Sequence, residues 1–153
     1  MIGDVIGKPG RKAVQALVPG LRREYEIDLV IANGENTAGG FGITPDTAQE
    51  LMYGGVDVIT SGNHIWKQKE VLSYIDEEPA LLRPANYPPG TPGSGYYRLG
   101  DTGVLNLMGR VFMSPMDCPF RTADKVLEQV RASDPPKVLI VDFHAEATSE
   151  KGA

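Results

Sequence analysis

Four short apolar runs in this chain each end on a residue able to bind a metal ion, and that recurrence constrains the fold more than any other feature. The junctions are Gly3-Asp4, Asn33-Gly34-Glu35-Asn36, Gly62-Asn63-His64 and Phe143-His144. If the runs are neighbouring strands of one parallel sheet, all four loops meet at its carboxyl edge. Open α/β sheets hold their ligands at that edge.

The segments between the runs carry helix signals. From Lys8 to Tyr25, Ala13, Val14, Leu17, Val18 and Leu21 form one apolar face of a 3.6-residue period, with Pro19-Gly20 a point where the helix kinks or stops. Leu29 to Ala32 is a short buried strand, followed by a loop containing Gly34, Gly39, Gly40 and Gly42. Thr44-Pro45 opens a helix that Gly54-Gly55 closes. Val56 to Thr60 is the next strand, and a helix is expected from Trp66 to about Asp76. Five prolines between Glu77 and Gly95 predict an ordered excursion or a linker. Val104 to Met108 is a further apolar run. Thr122 is expected to cap a helix ending before Pro135-Pro136, and Val138 to Phe143 is the last strand. This β-α rhythm predicts an α/β sandwich with a largely parallel sheet and flanking helices.

Bulk properties narrow the function. With 153 residues and a net charge of −5, one domain over residues 1–153 is expected, and a long nucleic acid is disfavoured as partner. The single Cys118 cannot form an internal disulfide and fits a reducing, cytoplasmic setting. No apolar run reaches membrane-spanning length. Met1-Ile2 is shorter than a buried strand, and the chain stops soon after His144, short of the full helix expected to follow that strand, so a partial sequence is expected.

The strand-end residues suit cation chemistry. Asp4 could ligate a cation or cap the following helix. Gly3 to Lys8 falls one residue short of a P-loop and continues with Pro9 where that motif needs Ser or Thr. Glu35 could bridge two cations, with the Asn36 amide oxygen beside it. Asn63 and His64 are adjacent, so in an extended segment they point apart. That suggests Asn63 on a metal and His64 facing substrate as proton donor, since imidazole titrates near neutrality; the plainer alternative has His64 capping a helix or packing on Trp66. His144 is a nitrogen ligand or a core histidine. The mixture of carboxylate, amide and imidazole suits Mn, Fe, Ni or Zn. Arg83, Asn86 and Tyr87 could recognise a phosphate or base, although a solvated loop is the favoured reading, and Arg110 and Arg121 could help hold an anion, although two arginines in a loop are poor evidence for it. Cys118 is read as structural.

Together, Gly3-Asp4-Val5-Ile6-Gly7, Ala32 to Asn36, Gly62-Asn63-His64, Leu82 to Gly90, Gly109 to Met113 and Asp142 to Lys151 resemble the YmdB-like branch of the calcineurin-like metallophosphoesterases. The resemblance covers essentially the whole chain. It implies two divalent cations (Fe or Mn, with Zn, Ni or Mg as alternatives) that activate an attack on a small phosphodiester or cyclic nucleotide. By position it makes Asp4, Glu35, Asn36, Asn63 and His144 metal ligands, with Glu35 bridging, and His64 the catalytic proton donor; a homo-oligomer is compatible with it. Ile6 stands where the wider superfamily has histidine, a departure the YmdB-like branch shares. The family's final Gly-x-His-x-His segment is absent, since His64 and His144 are the only histidines. The competing expectation is therefore a non-catalytic, metal-stabilised regulatory or nucleotide-binding module. A dinucleotide-binding oxidoreductase is disfavoured, because no strand leads into Gly-x-Gly-x-x-Gly.

Overall fold

Alternation along very short strands organises the molecule into layers. The computed structural model describes residues 1–133 and 135–153. Its elements are α1 (Gly7–Glu24), β1 (Ile31–Asn33), α2 (Pro45–Tyr53), β2 (Val58–Thr60), α3 (Val71–Tyr74), β3 (Tyr96–Leu99), β4 (Thr102–Met108), α4 (Pro119–Ser133), β5 (Val138–His144) and α5 (Thr148–Lys151). Strands β1 and β2 pair in parallel, with Ala32 opposite Ile59. Single parallel bridges extend them, Ile2 to Ala32 on one side and Leu81 to Ile59 on the other. A second sheet has β4 at its centre, antiparallel to β3 and parallel to β5.

Successive strand residues face opposite ways, and here both faces are covered. Ala32, Ile59 and Leu81 join Val14, Val18, Ile43 and Leu51 on the helical side. Ile31, Val58 and Leu82 pack instead against Val104 of the second sheet. The result is a mixed α/β sandwich with flanking helices, and it explains why the strands read as unbroken apolar runs. Among the described residues no helix is long and apolar enough to cross a membrane.

The structure departs from the sequence expectations in several places. The four ligand-bearing runs lie in two sheets rather than one, with β5 in the second. Helix α1 continues through Pro19. Of its expected apolar face, Val14 and Val18 are buried while Leu17 and Leu21 are exposed. Most of the expected 66–76 helix is turns, leaving only Val71–Tyr74. Helix α4 starts at Pro119, and the Thr122 N–H already bonds Cys118 O, so Thr122 is not its cap. The proline-rich excursion is ordered: Leu81 and Leu82 are fully buried within it, and the unanticipated β3 follows.

Asn106 of β4 ties the two sheets together. Its Oδ1 accepts the Ser61 N–H at 2.9 Å, and both residues are fully buried. Asn106→Ala leaves that amide unsatisfied and is expected to cost about 1–3 kcal/mol. Urea denaturation of the variant measures this loss, and an unchanged midpoint would contradict the role.

Candidate metal centre

The loops after Ile2, β1 and β2 are locked to one another by main-chain bonds before any side chain acts. Val5 N–H bonds Asn33 O at 2.9 Å, Gly7 N–H bonds Asn36 O at 2.9 Å, and Gly34 N–H bonds Thr60 O at 2.9 Å. On the other side, Gly109 N–H bonds His144 O at 2.9 Å, fixing the end of β5 to the end of β4. Parallel pairing of β4 with β5, and the Asn106 link between sheets, then bring His144 opposite the β2 loop despite the split into two sheets.

Glu35 sits at the centre, only 2% exposed. Its Oε2 accepts the His64 backbone N–H at 2.9 Å, and its Oε1 lies 3.2 Å from His144 Nε2 and 3.8 Å from His64 Nδ1. His144 Nε2 also lies 3.0 Å from Asn63 Oδ1. Asn36 Nδ2 donates to Asp4 Oδ2 at 2.8 Å, and His64 Nδ1 meets Asn36 Oδ1 at 2.7 Å. All six residues singled out from the sequence, Asp4, Glu35, Asn36, Asn63, His64 and His144, thus form one connected cluster.

The plainer readings of Asp4 and His64 do not hold. Helix α1 has no side-chain cap, and Asp4 pairs with Asn36 instead. His64 rests edge-on against Phe41, with ring centroids 5.0 Å apart, while Trp66 packs on Tyr87. Asn63 and His64 do point apart, Asn63 to His144 and His64 to Asn36.

Hydrogen-bond chemistry assigns the protons. A carboxylate only accepts, so Asn36 must turn its NH₂ to Asp4 and its oxygen to His64. His64 Nδ1 is therefore the donor in that pair. Among the described residues its Nε2 has no hydrogen-bond partner. His144 Nε2 faces two oxygens, from Asn63 and Glu35, and must carry a proton when no cation is there.

The donor set fits divalent cations. Near His144, an imidazole nitrogen, a carboxylate oxygen and an amide oxygen converge around one spot, a combination that suits borderline metals. Among the described residues the Asp, Glu, His and Cys side chains do not by themselves form a ready three-ligand site, so amide oxygens or water would complete the coordination of any cation. Asn36 is the exception to a ready-made site. Its oxygen faces His64, and the amide must turn over to ligate a cation beside Asp4.

Sequence reasoning missed several supporting residues. Asp142 accepts a hydrogen bond from Thr60 Oγ1, joining β2 to β5 below the cluster. Glu150, 9% exposed, accepts the N–H groups of Arg110 and Val111 and pins the loop after β4. Glycine at position 62 is compulsory for space, not for dihedral freedom: a Cβ there would lie 2.5 Å from both Glu35 Oε2 and His144 Nε2. Arg83 and Asn86 prove to be braces. Arg83 bonds the carbonyls of Pro84, Thr91 and Pro92, and Asn86 bonds Met108 and the carbonyl of Asp117.

A layered α/β protein with a carboxylate, amide and imidazole cluster at its strand ends is the class this geometry defines. The chain belongs to the YmdB-like protein family, whose model matches residues 1–153. It is 46% identical over 154 residues to the 2′,3′-cyclic-nucleotide 2′-phosphodiesterase of Bacillus subtilis (strain 168), covering 98% of this chain and 58% of that protein. A crystal structure of a hypothetical protein from Thermus thermophilus superposes with a TM-score of 0.89 at 44% identity, over 98% of this chain and 58% of the other. A novel phosphatase from Mycoplasma pneumoniae does so with a TM-score of 0.84 at 36% identity, over 98% and 56%. The chain therefore spans somewhat over half the length of these relatives.

Because Gly62 packs directly on the cluster, Gly62→Ala must displace Glu35 or His144. With only two histidines, imidazole NMR reads this cleanly. The His144 ring resonances are expected to move while far-UV circular dichroism stays constant; an unmoved His144 would contradict the packing.

Proposed function

We propose that these residues form most of a dinuclear metal centre of the calcineurin-like type, and that the protein hydrolyses phosphodiesters with cyclic nucleotides, 2′,3′- or 3′,5′-, as substrates. The observation that supports it best is the convergence of His144 Nε2, Asn63 Oδ1 and Glu35 Oε1, with Asp4 and Asn36 on the other side of the same buried carboxylate. In this reading Glu35 bridges, Asp4 and Asn36 complete one site, and Asn63 and His144 serve the second. Two divalent ions there, Fe or Mn before Zn, Ni or Mg, would activate the attacking water and neutralise phosphate oxygens. The Bacillus relative, named for cleavage of 2′,3′-cyclic nucleotides, supports the substrate class.

His64 is the proton donor to the leaving oxygen. Its main chain is held by Glu35 and its ring by Phe41 and Asn36, so the Nε2 edge alone is free to meet substrate. To act as the acid the ring gives up its Nε2 proton from the imidazolium form and is left neutral.

Elemental analysis combined with turnover of bis(p-nitrophenyl) phosphate tests the reading. Two metals per chain with turnover supports it, while no metal and no turnover favours the non-catalytic module. Within the enzyme, His64→Ala is expected to keep its metal and lose about 10²–10⁴-fold in turnover, the usual worth of a general acid. Loss of metal in that variant would make His64 a ligand instead. His144→Ala is expected to lose metal and activity together.

A further inference from the structure

A cleft of about 650 Å³ lies between the start of α4 and the proline-rich excursion, lined by Tyr87, Arg110, Cys118, Arg121 and Lys125 among others. Among the described residues, the Arg110, Arg121 and Lys125 side chains make no hydrogen bond or ion pair. The half-buried Arg83 adds a fourth cation to its wall, against the single carboxylate of Asp117. Such a grouping stands out in a chain of net charge −5. Like charges gathered around a concave space attract an anion.

The cleft adjoins the metal centre by two routes. Arg110 directly follows Gly109, the residue tied to His144 O, and its own N–H is fixed by Glu150. Tyr87 stands in the cleft wall and also within the field of Glu35. Burial first, and the Glu35 charge besides, push its hydroxyl above the ordinary tyrosine range. The Gly109–Arg110 main chain thus runs from the end of β5 to the cleft wall.

We propose that this cleft binds a nucleotide phosphate other than the one being cleaved, so that the preferred substrate carries a second phosphate. The second group is either a 5′-phosphate on a cyclic nucleotide or the internal phosphodiester of a short oligonucleotide ending in a cyclic phosphate. Guanidinium groups suit both, since they bind phosphate oxygens in a fork. The proposal rests on the phosphodiesterase reading above and adds the selection between substrates.

Cys118 supplies the probe. It is the only cysteine, it lines the cleft, and the backbone N–H of Arg121 in particular, with that of Phe120 and the nearby arginines, holds its thiol below the ordinary range. Alkylation by iodoacetamide, followed by mass spectrometry on metal-free protein, reports occupancy without involving catalysis. Adenosine 2′,3′-cyclic phosphate, the same nucleotide with a 5′-phosphate, and a dinucleotide ending in a 2′,3′-cyclic phosphate are compared.

Slowed alkylation by either doubly phosphorylated compound, and not by the plain cyclic nucleotide, supports the proposal and shows which source of phosphate fits. Arg110→Gln and Arg121→Gln should each raise the concentration for half-protection about tenfold, the worth of one charge-assisted hydrogen bond. Absence of protection, equal protection by the plain cyclic nucleotide, or indifference to both substitutions would overturn it. Failure of bis(p-nitrophenyl) phosphate turnover would count against the metal centre alone, so the two failures are distinguishable.

Discussion

Everything at the candidate site depends on burying one carboxylate. Taking a carboxylate out of water is costly unless positive or hydrogen-bonding groups surround it. Glu35 meets that requirement with the His64 backbone N–H on one oxygen and His144 Nε2 on the other. Those partners come from different sheets. Holding Glu35 therefore fixes the β1 loop, the β2 loop and the end of β5 relative to one another. Gly62 is part of the same constraint, because any larger residue would stand where Glu35 and His144 meet.

Much of the site was legible in the sequence because each short strand ends on a polar residue at one edge. That spacing identified Asp4, Glu35, Asn36, Asn63, His64 and His144 without knowledge of which sheet each strand joins. Sheet membership was not legible, since strands covered on both faces look alike whichever layer they occupy. The short α3 was over-read because Lys67 to Glu70 are compatible with helix yet form turns. Strand β3 was missed because Tyr96 to Leu99 has no buried face to leave a period in the sequence.

The supporting polar residues were hidden for a different reason. Asn106, Asp142 and Glu150 act on backbone or hydroxyl groups 40 or more residues away, or across sheets, so no local pattern marks them. Arg83 and Asn86 show the converse error: their side chains suggest recognition, but carbonyls of their own excursion and of neighbouring loops consume them. Of the cleft's cations, Arg110, Arg121 and Lys125 have uncommitted side chains among the described residues. The chain thus separates a buried acidic centre suited to cations from an open basic cleft suited to phosphate.

The central claim is that Glu35 bridges two cations. An anomalous difference map from crystals soaked in Mn²⁺ addresses it most directly. The account predicts two peaks flanking the Glu35 carboxylate, one on the side of Asp4 and Asn36 and one on the side of Asn63 and His144. Mn²⁺ bound elsewhere on the protein, with no peak at Glu35, would contradict it.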